Sequence, residues 1–320
     1  VCEALKSKLL ALGLILCALF VDVLNPRESS AQQSEPTLVI IDTGIDSSLP
    51  IFQGRLVEEV CIFDWYLCPN GKDFQQGLGA ATLKGNFANA NGFDHGTQMA
   101  SIAVTSYPNL KFIFMRIIAN NMYGNRLPVS LQWVQTNREK YNIRAVAMSQ
   151  GNHQLLTGYK YCPTVPGVSR LITRLKLDGV AVFFPVGNQG DKKRIDWPAC
   201  IPDSIAIGAV NEKDEIPSYS NMDYFNSDMY ALGNIQATVP GGRLVNASGT
   251  SVSTQIAAVQ WIQFATKYPE ASYSQIFQAL RTSGKLVFDI NFRFGRKVDL
   301  AAALAQYESI FKAGSSASVA

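Results

Sequence analysis

Residue types that hold metals or nucleic acids are scarce in this 320-residue sequence. It has two histidines, His95 and His153, and none of its six cysteines forms a C-x-x-C pair. Because a structural zinc site needs closely spaced Cys and His ligands, the sequence argues against one. Only 17% of the residues are charged, and 28 Lys and Arg against 25 Asp and Glu leave a net charge of +3. That balance argues against nucleic acid or an anionic membrane surface as the main partner.

A long apolar run of membrane-spanning length is also missing near the N-terminus. Residues 9–21 are apolar, but a helix needs roughly 20 such residues to span a bilayer, which disfavours a retained anchor. Lys6 and Lys8 precede the run, and small residues up to Ala31 follow it. This order is typical of a secretory signal, so we expect residues 1–31 to be removed after Ala31. The protein is then expected to be secreted or periplasmic, without stable membrane association after cleavage.

The remaining sequence is rich enough in apolar residues for a buried core, at 47% of the whole chain. Short β-branched runs alternate with segments of helical periodicity, which predicts a parallel sheet covered by helices. We expect one domain over residues 32–312 and a flexible Ser/Ala-rich tail over 313–320. The predicted strands are residues 37–41, 111–117, 143–148, 180–184 and 204–210, and the clearest predicted helices are residues 129–141 and 168–177.

Four cysteines remain once the signal is set aside: Cys61, Cys68, Cys162 and Cys200. An even number in an exported chain points to disulfide bonds, for which three pairings exist. The pairing of near neighbours, Cys61 with Cys68, leaves Cys162 with Cys200, and we favour this one. The alternative is four free thiols that pack as small apolar side chains.

Polar residues follow several of the predicted strands and begin two of the predicted helices. Asp42 stands at the tip of the first strand in IDTGID, and His95 begins a helix in DHGTQMAS. Asn188 follows a buried strand in PVGNQG, and Ser251 begins a helix in SGTSVSTQIAA. In a parallel sheet, chemistry takes place beyond the carboxyl ends of the strands. Taken singly, each residue is equally well a turn former or a helix cap.

Taken together, the motifs IDTGID, HGTQMAS and SGTSVSTQIAA resemble the three signatures of the subtilisin-like serine proteases, the subtilase family. The order Asp42, His95, Ser251 is that family's order of catalytic residues. The resemblance covers nearly all of the chain from Pro36 to about Ala305. It implies an α/β fold with a mostly parallel central sheet and helices on both faces, a subtilisin-like three-layer sandwich. It also implies a secreted serine endopeptidase.

The same resemblance assigns roles to residues. Ser251 would be the nucleophile, His95 the general base and Asp42 the residue that orients His95, while the Asn188 amide would stabilise the oxyanion. The implied partner is an extended polypeptide, bound by a monomer without a cofactor or a metal ion. The residues that would pair with this substrate are Asn121, Met122, Gly124, Ser149, Gln150 and Gly151.

The sequence departs from the family pattern at several positions around these residues. Gln98 replaces a second histidine, and Val252, Ser253 and Gln255 replace Met, Ala and Pro of the serine motif. Since proline there would stabilise a helix start, we expect Gln255 to affect rigidity more than chemistry. Residues 105–109 hold no carboxylate, so no calcium site is expected there.

Two alternatives to a subtilisin-like protease follow from the same residues. The first is an exported subtilase-like binding module that has lost activity, against which the intact set of four catalytic residues argues. The second is a lipase-like hydrolase, which would order its triad Ser, acid, His and place the serine in G-x-S-x-G. The sequence around Ser251 does not have that form.

Overall fold

The apolar runs of the sequence form the strands of a ten-stranded sheet. The computed structural model describes residues 35–63, 67–82, 93–118, 126–152, 162, 165, 167–223 and 227–312, which belong to the compact unit Glu35–Ala320. The expected signal and tail lie outside the described residues. The strands are β1 (Thr37–Asp42), β2 (Leu56–Ile62), β3 (Phe74–Gln76), β4 (Lys111–Arg116), β5 (Ile143–Met148), β6 (Ala181–Pro185), β7 (Ile205–Val210), β8 (Met229–Leu232), β9 (Asn234–Thr238), β10 (Leu244–Ser248), β11 (Lys285–Phe288) and β12 (Phe294–Lys297).

Helices connect most of the parallel strands. They are α1 (His95–Ser106), α2 (Leu127–Asn137), α3 (Val168–Leu177), α4 (Thr250–Lys267), α5 (Tyr273–Ser283) and α6 (Leu300–Tyr307), with a 3-10 turn at Pro50–Phe52 and a π-helical turn at Glu308–Lys312. None of the helices in the described part of the chain has the length and apolar character needed to cross a membrane.

The order of strands in the sheet brings the expected site residues together. It is β11-β12-β8-β7-β6-β5-β1-β4-β2-β3, parallel except for the edge pairs β11–β12 and β2–β3, while β9 and β10 form a separate antiparallel pair. Strand β5 lies between β1 and β6. The residues that follow these three strands therefore emerge side by side at one edge of the sheet.

Both faces of the sheet are covered by helices, which confirms the expected three-layer α/β architecture. Alternate residues of β1 belong to different cores: Leu38 and Ile40 pack with α1, α4 and α5, whereas Val39 and Ile41 pack with α2 and α3. This alternation follows from the two-residue period of a strand. Strands buried on both faces explain why their sequences are continuously apolar.

The structure shifts several of the predicted boundaries by a few residues. Strand β6 begins at Ala181 because the Val180 amide still donates to Leu175 at the end of α3. Helix α2 ends at Asn137 instead of 141, since the following residues turn back and the Ile143 amide donates to Arg138. Strands β2, β3 and β8 to β12 are short or partly exposed and were not predicted.

Two disulfide bonds join the four cysteines of the described residues, and they are the pairs favoured from the sequence. Cys61 is bonded to Cys68 and Cys162 to Cys200, at sequence separations of 7 and 38 residues. Cys61 lies within β2, and Cys200 lies between β6 and β7. The longer bridge therefore ties Cys162, which lies outside the described strands and helices, to the loop that leaves β6.

Candidate active site

Asp42 and His95 form a direct pair at the edge of the sheet. Asp42 is the last residue of β1 and is fully buried, and His95 is the first residue of α1 with its side chain 25% exposed. The imidazole Nδ1 lies 2.9 and 3.0 Å from the two carboxylate oxygens of Asp42. A carboxylate at Nδ1 accepts the hydrogen of that nitrogen and leaves Nε2 of His95 as the basic nitrogen.

Thr43 and Gly96 hold the strand and the helix at the distance that this pair requires. The Thr43 hydroxyl accepts the Gly96 amide at 3.1 Å and donates to the carbonyl of Phe93 at 3.2 Å. A Cβ added at Gly96 would lie 2.2 Å from the carbonyl oxygen of Gly44. Only glycine allows α1 to approach β1 so closely, which explains its place beside His95.

The surroundings of His95 set its basicity. Burial, the largest single influence, lowers the pKa of His95, but attraction to Asp42, the hydrogen bond with Asp42 and the charge of Asp94 raise it. The net result is a pKa above the usual 6.5. A raised pKa favours an imidazole that takes up a proton during a reaction and releases it afterwards.

Ser251 lies in the first turn of α4, one residue after its first residue, Thr250. The backbone N–H groups of a helix start favour negative charge that develops beside the serine. Among the described residues, the Ser251 hydroxyl donates to the carbonyl of Ser149 at 2.8 Å and is not hydrogen bonded to His95. Hydrogen bonds between a serine and a neighbouring imidazole often form only when a ligand binds.

Asn188 is joined to the same helix start. Its side-chain oxygen accepts the Thr250 amide at 2.9 Å and the Thr250 hydroxyl at 3.0 Å. Both of these bonds go to the oxygen of the Asn188 side chain. Its amide nitrogen is therefore not used by Thr250 and remains a donor. A Cβ at Gly249 would lie 3.3 Å from that nitrogen, and Gly249 has φ of +137°. This φ favours glycine immediately before Thr250.

The segment after β5 contacts both Ser251 and His95. Ser149 lies against Ser251, and the Gln150 amide nitrogen is 3.1 Å from Nδ1 of His95. Since the hydrogen of Nδ1 goes to Asp42, both nitrogens are donors, and this approach of Gln150 is a close contact with the ring and not a hydrogen bond. Gly151 continues this segment. The other three residues expected to bind substrate, Asn121, Met122 and Gly124, lie outside the described residues.

Comparison with known proteins identifies the family. The sequence model of the subtilase family matches residues 33–296. The chain belongs to the subtilase family.

Its curated relatives include Subtilisin NAT of Bacillus subtilis subsp. natto, 25% identical over 280 residues that cover 82% of this chain and 64% of that protein. Subtilisin of Bacillus pumilus is 25% identical over 267 residues, which cover 78% of this chain and 84% of that one. The chain thus spans only 64% of the length of relatives such as Subtilisin NAT.

Two solved structures share the fold of this subtilase. One, titled proteases from Pseudoalteromonas arctica PAMC 21717, has a TM-score of 0.70 at 17% identity and covers 86% of this chain and 91% of that chain. The other, the prenylagaramide maturation protease PagA, has a TM-score of 0.65 at 17% identity and covers 85% of this chain and 93% of that chain.

Gln255 is a residue of this subtilase whose contact the sequence did not predict. It lies in the second turn of α4, so the expectation that position 255 is at the helix start is wrong. Its amide nitrogen donates to the Ser149 hydroxyl at 2.8 Å, and that hydroxyl donates to the carbonyl of Ser251 at 3.0 Å. The sequence carries no signal for this contact, because α4 also contains Gln260 and Gln263 and residue type alone does not distinguish them from Gln255.

Gln98, the second departure from the family pattern, is hydrogen bonded to Asp94 and not to the Asp42–His95 pair. Its amide nitrogen donates to the Asp94 carboxylate at 2.9 Å, one turn back along the chain. Gln98 therefore holds the carboxylate of the residue next to His95 through a hydrogen bond. In the part of the chain that the structure describes, no three His, Cys, Asp or Glu side chains are grouped so that they could hold a metal ion.

Proposed function

We propose that this subtilase is a serine endopeptidase that hydrolyses peptide bonds through Asp42, His95 and Ser251, with Asn188 as an oxyanion donor. The observation that carries the proposal is the hydrogen bond between the buried Asp42 carboxylate and Nδ1 of His95. That bond leaves Nε2 as the base, and Ser251 lies in the first turn of α4. A carboxylate, an imidazole and a serine so arranged have the roles required for acyl transfer.

In the first half of the reaction, Ser251 Oγ attacks the carbonyl carbon while its proton passes to Nε2 of His95. The carbonyl oxygen becomes an oxyanion, which the backbone N–H of Ser251 and the amide of Asn188 stabilise. Asn188 is suited to this because Thr250 already holds its side-chain oxygen. His95 then protonates the leaving amine, the C–N bond breaks, and an acyl-enzyme remains.

In the second half, water attacks the acyl carbon and gives its proton to His95. The new acid product leaves as Ser251 Oγ regains a proton. Asp42 stays ionised throughout and stabilises the imidazolium that forms twice in each cycle. The substrate is an extended polypeptide, which pairs with residues 149–151 by strand addition.

We also propose where the protein acts and how its chain is divided. Residues 1–31 would direct export, residues 32–312 would form the catalytic domain and residues 313–320 a tail. The two disulfide bonds fit an oxidising compartment, secreted or periplasmic. The catalytic domain would act as a monomer.

One observation favours a second function, an inactive subtilase-like binding module. The Ser251 hydroxyl donates to Ser149 and not to His95. If that bond persisted in the presence of substrate, the serine would not be activated, and the cleft would serve recognition alone.

A serine-directed fluorophosphonate separates the two functions. We expect the label on Ser251, located by mass spectrometry, and we expect Ser251→Ala to lose both labelling and peptide cleavage. Ser253→Ala is the matched control, because Ser253 is a buried serine of the same helix with no assigned role. A folded wild-type protein that resists the label would support the binding module and contradict the protease.

A further inference from the structure

Gln255 is a fully buried polar side chain that the proposed chemistry does not use. It follows Ser251 by four residues in α4, so the two lie on the same face of that helix. Its amide nitrogen donates to the Ser149 hydroxyl at 2.8 Å, and its side-chain oxygen has no hydrogen-bond partner among the described residues. Because an unpaired buried oxygen opposes folding, stability alone does not account for glutamine at this position.

Ser149 passes the contact with Gln255 on to the backbone of Ser251. A hydroxyl has one hydrogen to donate and accepts others. Since Gln255 supplies an N–H to the Ser149 oxygen, the hydrogen of Ser149 is left for the Ser251 carbonyl, which lies 3.0 Å away. Ser149 is only 1% exposed. The three residues therefore form one chain of hydrogen bonds that runs from the Gln255 amide to the Ser251 carbonyl.

A second hydrogen bond joins Ser149 and Ser251 in the opposite direction. The Ser251 hydroxyl donates to the Ser149 carbonyl at 2.8 Å. In the proposed reaction this hydroxyl gives its proton to His95, so its bond to the Ser149 carbonyl is given up. The bond from the Ser149 hydroxyl to the Ser251 carbonyl involves no reacting atom. It can therefore persist while the reaction proceeds.

The persistent bond connects the two parts of the site that must be in register. The proposed peptide substrate pairs with residues 149–151, whereas the attack comes from Ser251, whose backbone N–H is also a proposed oxyanion donor. Efficient attack requires reacting atoms about 3–3.5 Å apart, and a misplacement of about 1 Å costs about 100-fold in rate. A link between the two backbones thus acts on the position of the nucleophile relative to the bound carbonyl.

We infer that Gln255 is a positioning residue, which holds Ser251 in register with the bound peptide through the Ser149 hydroxyl. This inference rests on the proposed protease function. Gln255 acts through Ser149 and not on the reacting atoms, so it contributes to kcat and not to KM. Its hydrogen bond goes to Ser149 and not to His95, so it leaves the pH dependence unchanged. Proline, which the family pattern has at this position, has no side-chain donor, and the link is therefore particular to this chain.

The test is the steady-state cleavage of an internally quenched peptide by Gln255→Met, which keeps a similar volume and removes the donor. We expect kcat to fall about 10-fold, KM to stay within about twofold, and the midpoint of the pH profile to match that of the wild type. Gln260→Met is the matched control, because Gln260 lies in the same helix and its side-chain oxygen also lacks a partner among the described residues. The control should keep the wild-type kcat. An unchanged kcat in Gln255→Met, or an equal loss in Gln260→Met, would overturn the inference.

Ser149→Ala supplies the second comparison, because it removes the middle of the same chain of hydrogen bonds. We expect it to lower kcat by about the same factor of 10 as Gln255→Met. The double variant should lose no more than either single variant, since residues that act as a unit are not additive. Losses that multiply in the double variant would show two independent roles and would contradict the inference.

Fluorophosphonate titration separates failure of this inference from failure of the protease proposal. Complete labelling of Gln255→Met at Ser251 would show that its lower kcat belongs to every molecule, whereas a labelled fraction that accounts for the whole loss would show misfolding and overturn the inference. A wild-type protein that labels and cleaves, with the same kcat in Gln255→Met, would retain its proposed function and lose the inference. A wild-type protein that neither labels nor cleaves would lose both.

Discussion

Gln255 offers the sharpest test of how polar contacts beneath Ser251 contribute to stability. It is fully buried, its amide nitrogen donates to Ser149, and its side-chain oxygen has no hydrogen-bond partner among the described residues. Gln255→Met keeps a similar volume and removes both polar atoms. Loss of the hydrogen bond costs about 1 kcal/mol, whereas removal of a buried unpaired oxygen returns about 1–3 kcal/mol. We therefore expect Gln255→Met to raise the free energy of unfolding by between zero and about 2 kcal/mol.

The free energy of unfolding would be measured by urea denaturation in a Ser251→Ala background, which prevents self-digestion. Gln255→Ala is the control, because it removes the same polar atoms and also leaves a cavity, for which we expect a loss of about 2–4 kcal/mol. A double-mutant cycle with Ser149→Ala isolates the hydrogen bond itself. If Gln255→Met lowered the free energy of unfolding by more than about 1.5 kcal/mol, the side-chain oxygen would have a stabilising role and the reasoning would be refuted.

Two further predictions concern His95 and the disulfide bonds. Because a general base must be neutral, kcat/KM should rise with pH through the raised pKa of His95, with a midpoint above 6.5. Asp42→Asn removes the charge that raises this pKa, so the residual activity of the variant should have a lower midpoint. An unchanged midpoint would show that Asp42 does not set the pH dependence. Replacement of Cys162 and Cys200 by alanine should lower the free energy of unfolding by about 4 kcal/mol in the chain-entropy model, against about 2–3 kcal/mol for Cys61 and Cys68. Urea melts of the two variants check this order, and a larger loss for the shorter loop would contradict it.

Local patterns in the sequence predicted the strands that are buried on both faces and an amphipathic helix. Strands β1, β4, β5, β6 and β7 have continuous apolar runs, and α3 was predicted with its observed bounds because its apolar positions recur at helical spacing. Strand β11 was missed because its residues are largely exposed and β12, its partner, contains a glycine. Their pairing depends on contacts with distant segments, which no local window of sequence contains.

The candidate site also has a part that the sequence predicted and a part that only the tertiary structure showed. The sequence by itself determined the residue types and the chain order of Asp42, His95, Asn188 and Ser251, because each lies in a short motif at or just after a strand end or in the first turn of a helix. Only the tertiary structure decided which atoms meet: Gln255 with Ser149 across 106 residues, and Asp196 with Gly151 and Gly187, which follow different strands. Such contacts depend on sheet order and on close backbone approach, and these are set by packing of the whole domain and not by the spacing of neighbours along the chain.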